Sequence, residues 1–246
     1  MSGKTALLLG ATGQTGAYLL QELLNSPTYT RVLEAGRRVT PADKLPASAK
    51  DKLEQRVIDF EKLDEAKLGE GFDVVYVTLG TTAKQAGSSA MFEKIDREYV
   101  VNAARAAKSS ETTRSQRLVY LCSQAPNPKS MILYSRSKGL TEQALAELGY
   151  SDTIIFRPGF LANTSRPASD SRPLESMAGP IVSLVSRFTS SVAINIDTLA
   201  KSMRIAGTLG SGALPAAAAA YKANWGGKEF TVVGNNGAIQ LAKEDH

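Results

Sequence analysis

The chain has a single histidine and a single cysteine in 246 residues. The histidine, His246, is the last residue, so a His-based catalytic triad and most imidazole metal sites are not expected, and no metal residue is assigned. The lone Cys122 cannot build a disulfide framework and fits a reducing compartment. No apolar stretch reaches membrane-spanning length. The charge is only mildly basic, 29 Lys and Arg against 24 Asp and Glu for a net +5. The basic residues are scattered, and Arg37-Arg38 is the only adjacent pair, whereas a nucleic-acid groove needs a stripe of them. Met1-Ser2-Gly3-Lys4 leads directly into an apolar run, with no Arg-rich amphipathic stretch or signal-type core, so no presequence is expected. Repeats are absent. The length suits one domain, residues 1–246, with ample core.

What is present begins at once. Apolar residues 6–9 end in glycines at 10, 13 and 16, and Tyr18, Leu19, Leu20, Leu23 and Leu24 then follow at helical spacing. A buried strand thus turns into a helix through a glycine-rich corner. Gly10 permits the tight turn, Gly13 lets a diphosphate approach the backbone, and Gly16 lets the helix pack against the strand. The helix start, with its free N–H groups and positive dipole end, faces the phosphates. Gly10, Thr12, Gly13, Gln14, Thr15 and Gly16 are therefore the expected phosphate cradle. A glycine-rich turn that binds nothing is the plainer alternative; the strand before it and the helix after it favour a dinucleotide.

Strand-like runs recur at 31–35, 55–60, 72–79, 117–122 and 153–156, with helices expected over 91–108 and 134–148. Near-continuous apolar strands alternating with helices predict an α/β fold, a Rossmann-type doubly wound parallel sheet. After Gly159 the rhythm breaks. Residues 163–173 read as a loop, and residues 174–188 carry an amphipathic stripe that is core, a lid over substrate or a membrane-touching patch. A helix over 197–209, capped by Asp197, a helix start at Pro215, a strand at 229–233 and a short last helix complete the pattern. Residues 162–228 form the expected C-terminal lid region.

Tyr134 and Lys138 stand four apart at the start of the helix after strand five, on one helix face. An ammonium there stabilises a phenolate, making Tyr134 a proton donor or acceptor near neutral pH. Ser123, eleven residues earlier at the end of strand five, is placed to polarise a substrate carbonyl. An exposed helical pair and a serine closing a strand are the bland readings. At the end of strand two, Glu34 lies within the strand while Arg37 and Arg38 emerge after Gly36, which suits the 2′-phosphate of NADP rather than the ribose diol of NAD. Asp59 either binds the adenine amino group beside Phe60 or caps a helix. Leu79, Gly80 and Thr81 end strand four at the switch point, and Pro158 ends strand six near the nicotinamide amide.

Gly-Ala-Thr-Gly-x-Thr-Gly, Gly36-Arg37-Arg38, residues 57–63, Leu79-Gly80-Thr81-Thr82, Tyr134-x-x-x-Lys138 and Phe156-Arg157-Pro158-Gly159 occur in order. Together they resemble the atypical short-chain dehydrogenase/reductase group that includes the Tat-interacting metastasis-suppressor oxidoreductase, and most of all its fungal members found in the mitochondrial proteome. The resemblance implies NADP(H) in the glycine corner, Ser123, Tyr134 and Lys138 at the reductase active-site positions, and peripheral association with the mitochondrial outer membrane. A cytoplasmic location is the alternative. Thr78 stands where relatives often carry cysteine, and residues 163–193 match poorly, so substrate identity does not carry over. The expected activity is NADPH-dependent reduction of a hydrophobic carbonyl compound; the alternative is an NADP(H)-binding regulator or scaffold without turnover, or an adaptor at a membrane surface. No nucleic-acid partner is expected, and the oligomeric state is not legible.

Overall fold

Side chains of each central strand point alternately into two apolar layers, and this two-sidedness decides the architecture. The computed structural model describes residues 3–66, 68–69, 71–111, 115–162 and 193–244. The chain runs β1 (Lys4–Leu9), α1 (Gln14–Asn25), β2 (Tyr29–Gly36), β3 (Leu53–Val57), β4 (Val74–Val77), α2 (Ala83–Ala86) and α3 (Ser89–Glu93). A π-helical turn, Lys94–Glu98, joins α3 without a break to α4 (Tyr99–Ala107). There follow β5 (Arg117–Leu121), α5 (Leu133–Glu147), β6 (Asp152–Arg157), β7 (Phe160–Ala162), β8 (Ala193–Asn195), α6 (Ile196–Leu209), β9 (Tyr221–Trp225), β10 (Lys228–Gly234) and α7 (Asn235–Leu241).

The main sheet has the order β3-β2-β1-β4-β5-β6-β10-β9, parallel throughout except for the β9 edge. Leu7, Leu9, Val75 and Val77 pack with Val100 of α4 and Leu145 of α5 on one face. Ala6, Leu8, Val74 and Tyr76 pack with Leu20 of α1, Met203 of α6 and Leu241 of α7 on the other. Strands buried on both faces read as continuous apolar runs, which is why they were visible in the sequence. The order reverses between β1 and β4, and ligands of open α/β sheets bind at such a switch point. The Rossmann-type expectation is met.

Several boundaries differ from the sequence reading. β3 stops at Val57, so Asp59 and Phe60 lie in the turn beyond it. The N-cap of α6 is Asn195, and Asp197 Oδ1 instead accepts the amide of its neighbour Thr198 at 2.6 Å. The alanine run after Pro215 gives only a three-residue 3-10 turn, Ala216–Ala218, after which Ala219 takes a left-handed conformation (φ 43°) and the chain enters β9. Ala218 is buried against α7, where a Cβ on Gly237 would come within 2.0 Å of its carbonyl oxygen. Packing against α7 and the start of β9 at Tyr221 override alanine's helix propensity here. Within the expected lid region, α6 packs its Leu199, Ala200 and Met203 into the second apolar layer, while β7 and β8 form a separate parallel pair. The loop expected over 163–173 and the stripe expected over 174–188 lie outside the described residues.

α6 approaches the sheet through a residue without a side chain. Tyr76 hydroxyl sits under Gly207, within 2.7 Å of the Tyr29 hydroxyl, and a Cβ at 207 would fall 1.9 Å from it. Gly207→Ala should therefore destabilise the protein by about 1–3 kcal/mol through overpacking. Gly212→Ala, whose Cβ would meet nothing within 4 Å, should stay within about 0.5 kcal/mol of the parent. Urea unfolding of both variants checks the contrast; equal midpoints would show that α6 is not held against Tyr76.

Candidate functional site

The corner after β1 is built by absence of side chains. Gly10 adopts φ +98°, strained for any L side chain, and its Cβ would lie 2.8 Å from Thr78 Oγ1 and 2.9 Å from the Leu79 nitrogen. Gly13 donates its amide to the Gly10 carbonyl at 3.0 Å and becomes the N-cap of α1, offering no side-chain acceptor to the first turn. That arrangement receives anions. A Cβ on Gly16 would stand 2.0 Å from the Gly10 oxygen, so only glycine lets α1 close on the corner. Thr78 hooks the end of β4 to the same place, its Oγ1 donating to the Leu9 and Gly10 carbonyls, each at 3.2 Å.

A cavity of about 550 Å³ opens over this corner. Its walls bring together Gly10, Thr12, Gly13, Gln14, Arg37, Arg38, Phe60, Leu79, Gly80 and Thr81, all anticipated, with Gly36, Thr78, Gln85 and Ile95 in addition. Arg37 and Arg38 are exposed and, among the described residues, paired with no acid. Glu34 is 1 % exposed and occupied: its Oε1 accepts the Thr40 amide and hydroxyl, both at 2.8 Å, and its Oε2 accepts Gln55 Nε2 at 2.8 Å. Phe60 stacks on Tyr99, ring centroids 5.2 Å apart, and the Tyr99 hydroxyl donates to Glu61 at 2.5 Å. Asp59 is exposed, lies outside the cavity wall and accepts the Glu61 amide at 2.9 Å.

A second chamber of about 80 Å³ shares the Gly13, Gln14 and 78–81 walls and extends to Thr15, Asp96, Leu121, Cys122, Lys138 and Leu161. Lys138, on α5 and 3 % exposed, sits with Nζ 2.9 Å from Asp96 Oδ1, 3.3 Å from the Tyr120 hydroxyl and 5.9 Å from the Tyr134 ring centroid. Burial works against its charge, but Asp96 foremost, then Tyr120 and Tyr134, outweigh it and hold the ammonium well above the usual lysine range. Burial pushes the Tyr120 hydroxyl and the Cys122 thiol well up, so both are neutral at neutral pH. Tyr134 opens α5, packs its ring on Phe92 at 6.0 Å and has a buried hydroxyl. Ser123 Oγ, just past β5, is buried with no hydrogen-bond partner among the described residues. Ser123, Tyr134, Gly16 and Pro158 do not line either cavity. Pro158 is buried at the end of β6, with the next amide, Gly159, donating to Asn235 Oδ1 at 2.8 Å.

The residue the sequence reading missed is Asp96. Its signal was available: Phe92, Asp96 and Val100 are spaced as one buried helical stripe, and an acid in such a stripe needs a buried partner.

Comparison with known proteins agrees with this geometry. The model of the NAD(P)H-binding family matches residues 10–187. The chain belongs to this NAD(P)H-binding family. It is 34% identical to the Rattus norvegicus protein HTATIP2 over 82% of this chain and 81% of that one. It is 30% identical to the mitochondrial protein fmp52-1 of Aspergillus terreus over 96% and 98% of the two chains. These relatives bear out the resemblance carried by the motifs. Among solved structures, a short-chain dehydrogenase/reductase from Saccharomyces cerevisiae, YIR035C, superposes with a TM-score of 0.61 at 17% identity, covering 87% of this chain and 92% of that one. The Bordetella bronchiseptica enzyme WbmF, solved with NAD+, gives 0.59 at 12% identity, covering 84% and 70%. Family and fold together support an NAD(P)-dependent oxidoreductase. Among the described residues no helix is long and apolar enough to cross a membrane, and no cluster of three metal-ligating side chains occurs.

The corner itself can be tested. The Cβ of a residue at 13 meets only the Gly10 oxygen, at 3.2 Å, so Gly13→Val should leave the sheet folded while its methyls occupy the diphosphate approach. NAD(P)H affinity should fall by more than about a hundredfold, or about 2.7 kcal/mol. Fluorescence titration with a parallel thermal melt reads both. Near-normal affinity would mean that the phosphates lie elsewhere.

Proposed function

We propose that this protein is an NADPH-dependent reductase of a carbonyl compound, with Tyr134 as proton donor. The observation that carries this reading is the Tyr134 and Lys138 pair at the start of α5, its ammonium in the wall of the chamber that adjoins the glycine corner. The nicotinamide, when bound, supplies hydride to the carbonyl carbon. Tyr134 gives its phenolic proton to the carbonyl oxygen, so hydride and proton together make the alcohol. The Ser123 hydroxyl, buried and without a hydrogen-bond partner among the described residues, donates to the same oxygen and stabilises the charge that develops on it. Lys138 stabilises the phenolate left on Tyr134 and holds the nicotinamide ribose. Met131 and Ile132, exposed by 93 % and 59 % immediately before α5 and so close to Tyr134 in the chain, favour a hydrophobic substrate.

The choice of NADP over NAD rests on the end of β2. A ribose diol needs a free carboxylate there, and both oxygens of Glu34 are already bonded within the protein. Two exposed arginines with no acid partner among the described residues suit a 2′-phosphate instead. Replacing Arg37 and Arg38 together by alanine should weaken NADPH about ten- to a hundredfold, the value of a charge-assisted contact, and leave NADH nearly unchanged. Titration of both cofactors settles it, and an unaltered preference would sink the assignment.

For catalysis, Tyr134→Phe keeps the ring against Phe92 and removes only the hydroxyl. With a substrate found by screening hydrophobic aldehydes and ketones, kcat should fall about a hundred- to ten-thousand-fold while NADPH affinity holds. Wild-type turnover by the variant would overturn the reading. NADPH binding without turnover of any carbonyl compound would favour the cofactor-binding regulator instead. A mitochondrial location is supported by fungal relatives whose names call them mitochondrial; its placement at the outer-membrane surface rests on the family resemblance alone, with a cytoplasmic location as the alternative.

A further inference from the structure

The helical stripe that runs through α3 and α4 buries Phe92, Val100, Ala103, Ala104 and Ala107, and it is interrupted by an acid. Asp96 has no exposed surface, and it stands inside the π turn, a local widening of the helix that often marks a functional site. Stability does not account for it. A buried ion pair gains nothing over apolar packing of similar volume, and a carboxylate in an apolar stripe is costly unless paired. Its position is the better clue. Asp96 and Lys138 form the pair in the wall of the inner chamber, and a Cβ on Gly80 would stand 3.5 Å from Asp96 Oδ1 and 3.8 Å from Lys138 Nζ, so a glycine at 80 leaves the pair open to the chamber. The contact of 2.9 Å lies off the hydrogen-bonding direction and is ionic in character.

We propose that Asp96 is a positioning residue that keeps Lys138 an ammonium and holds it at the chamber wall beside Tyr134. The inference rests on the reading of this site as an NADPH site in which Lys138 binds the ribose. The groups facing Lys138 are Asp96 from the π turn, Tyr120 and Cys122 from the end of β5, and Tyr134 from its own helix. Tyr120 and Cys122 are neutral, as shown above. Glu142, one turn further along α5, is taken by Arg157 through two bonds of 2.9 and 2.6 Å and by Trp225 Nε1 at 3.2 Å. Asp96 is thus the carboxylate that balances Lys138 among the described residues. Without it burial acts unopposed, and buried lysines can lose their proton near or below neutral pH.

The sign follows directly. Lys138 of the parent stays charged across pH 6 to 9, whereas in Asp96→Asn the charge is present at low pH and lost as pH rises. NADPH titrations over this range should give a nearly flat affinity for the parent. Lys138→Met should bind about ten- to a hundredfold more weakly at every pH. Asp96→Asn should follow Lys138→Met at pH 9 and recover toward the parent as pH falls, and the double variant should be no weaker than Lys138→Met. A flat, parent-like profile for Asp96→Asn, or losses that add in the double variant, would overturn the proposal. Failure of the parent to bind NADPH would instead overturn the functional reading beneath it. Should Asp96→Asn not fold, [ζ-¹⁵N]lysine NMR of the parent decides: the Lys138 signal, assigned by its loss in Lys138→Met, should still be an ammonium at pH 9, and a neutral amine there refutes the inference.

Discussion

The oxygen of Gly10 is the point on which the molecule turns. It accepts the Gly13 amide and the Thr78 hydroxyl, and it stands where a Cβ on Gly16 would be 2.0 Å away. Through it β1, β4 and α1 meet at one spot, which is also where the strand order reverses. Each glycine here gives up about 0.5–1 kcal/mol of conformational entropy relative to alanine. The helix that follows offsets this many times over: Leu19, Leu20, Leu23 and Leu24 are all fully buried, each contributing about 1.5–3 kcal/mol. The apolar face of α1 therefore maintains a corner whose own residues favour disorder. Binding geometry is obtained as a by-product of packing.

The buried charges follow one rule and the open ones another. Glu34, Asp96 and Glu142 are each essentially fully buried. Each is matched, by Thr40 and Gln55, by Lys138, and by Arg157. Breaking such a pair by removing one partner costs about 3–5 kcal/mol, far more than a surface bridge of about 0–1 kcal/mol contributes. A residue held this tightly has little capacity left for a ligand. Arg37 and Arg38 are the reverse, exposed in a cavity wall with no acid partner among the described residues, so an incoming anion meets charge that those residues do not neutralise. The contrast between Glu34 and its two arginine neighbours is thus a contrast of availability, and the proposed choice of NADP rests on it.

Much of this was legible in the sequence because the physics is local. Apolar runs flanked by glycine show where strands end, and ten of the anticipated cofactor residues line one cavity because the corner, the end of β2 and the end of β4 converge at the switch point. What was not legible depends on neighbours far along the chain. The alanines after Pro215 favour a helix by propensity, yet the contact of Ala218 with α7 holds them in a turn that leads into the edge strand β9. Asp197 looks like a cap, but β8 runs straight into α6 and leaves Asn195 in that place. Asp96 escaped notice because a charged residue in a helix is ordinarily read as solvated; its place in the Phe92 and Val100 stripe hints at burial, but its partner Lys138 stands 42 positions later.

The two cavities differ in size in a way that separates chemistry from recognition. The outer one, about 550 Å³, is on the scale of a small-molecule site. The inner one, about 80 Å³, has room only for a few water-sized groups. A chamber that small, walled by Lys138, Asp96 and the backbone of Gly80, can enclose the reacting end of a molecule and no more. Tyr134 stands outside that wall, and just before it in the chain Met131 and Ile132 leave apolar surface in solvent. Under the proposed reading, discrimination between substrates falls to the surface outside the chamber, and the reacting groups stay the same whichever molecule enters. The same division explains why the motifs speak for a reaction type and are silent on its substrate.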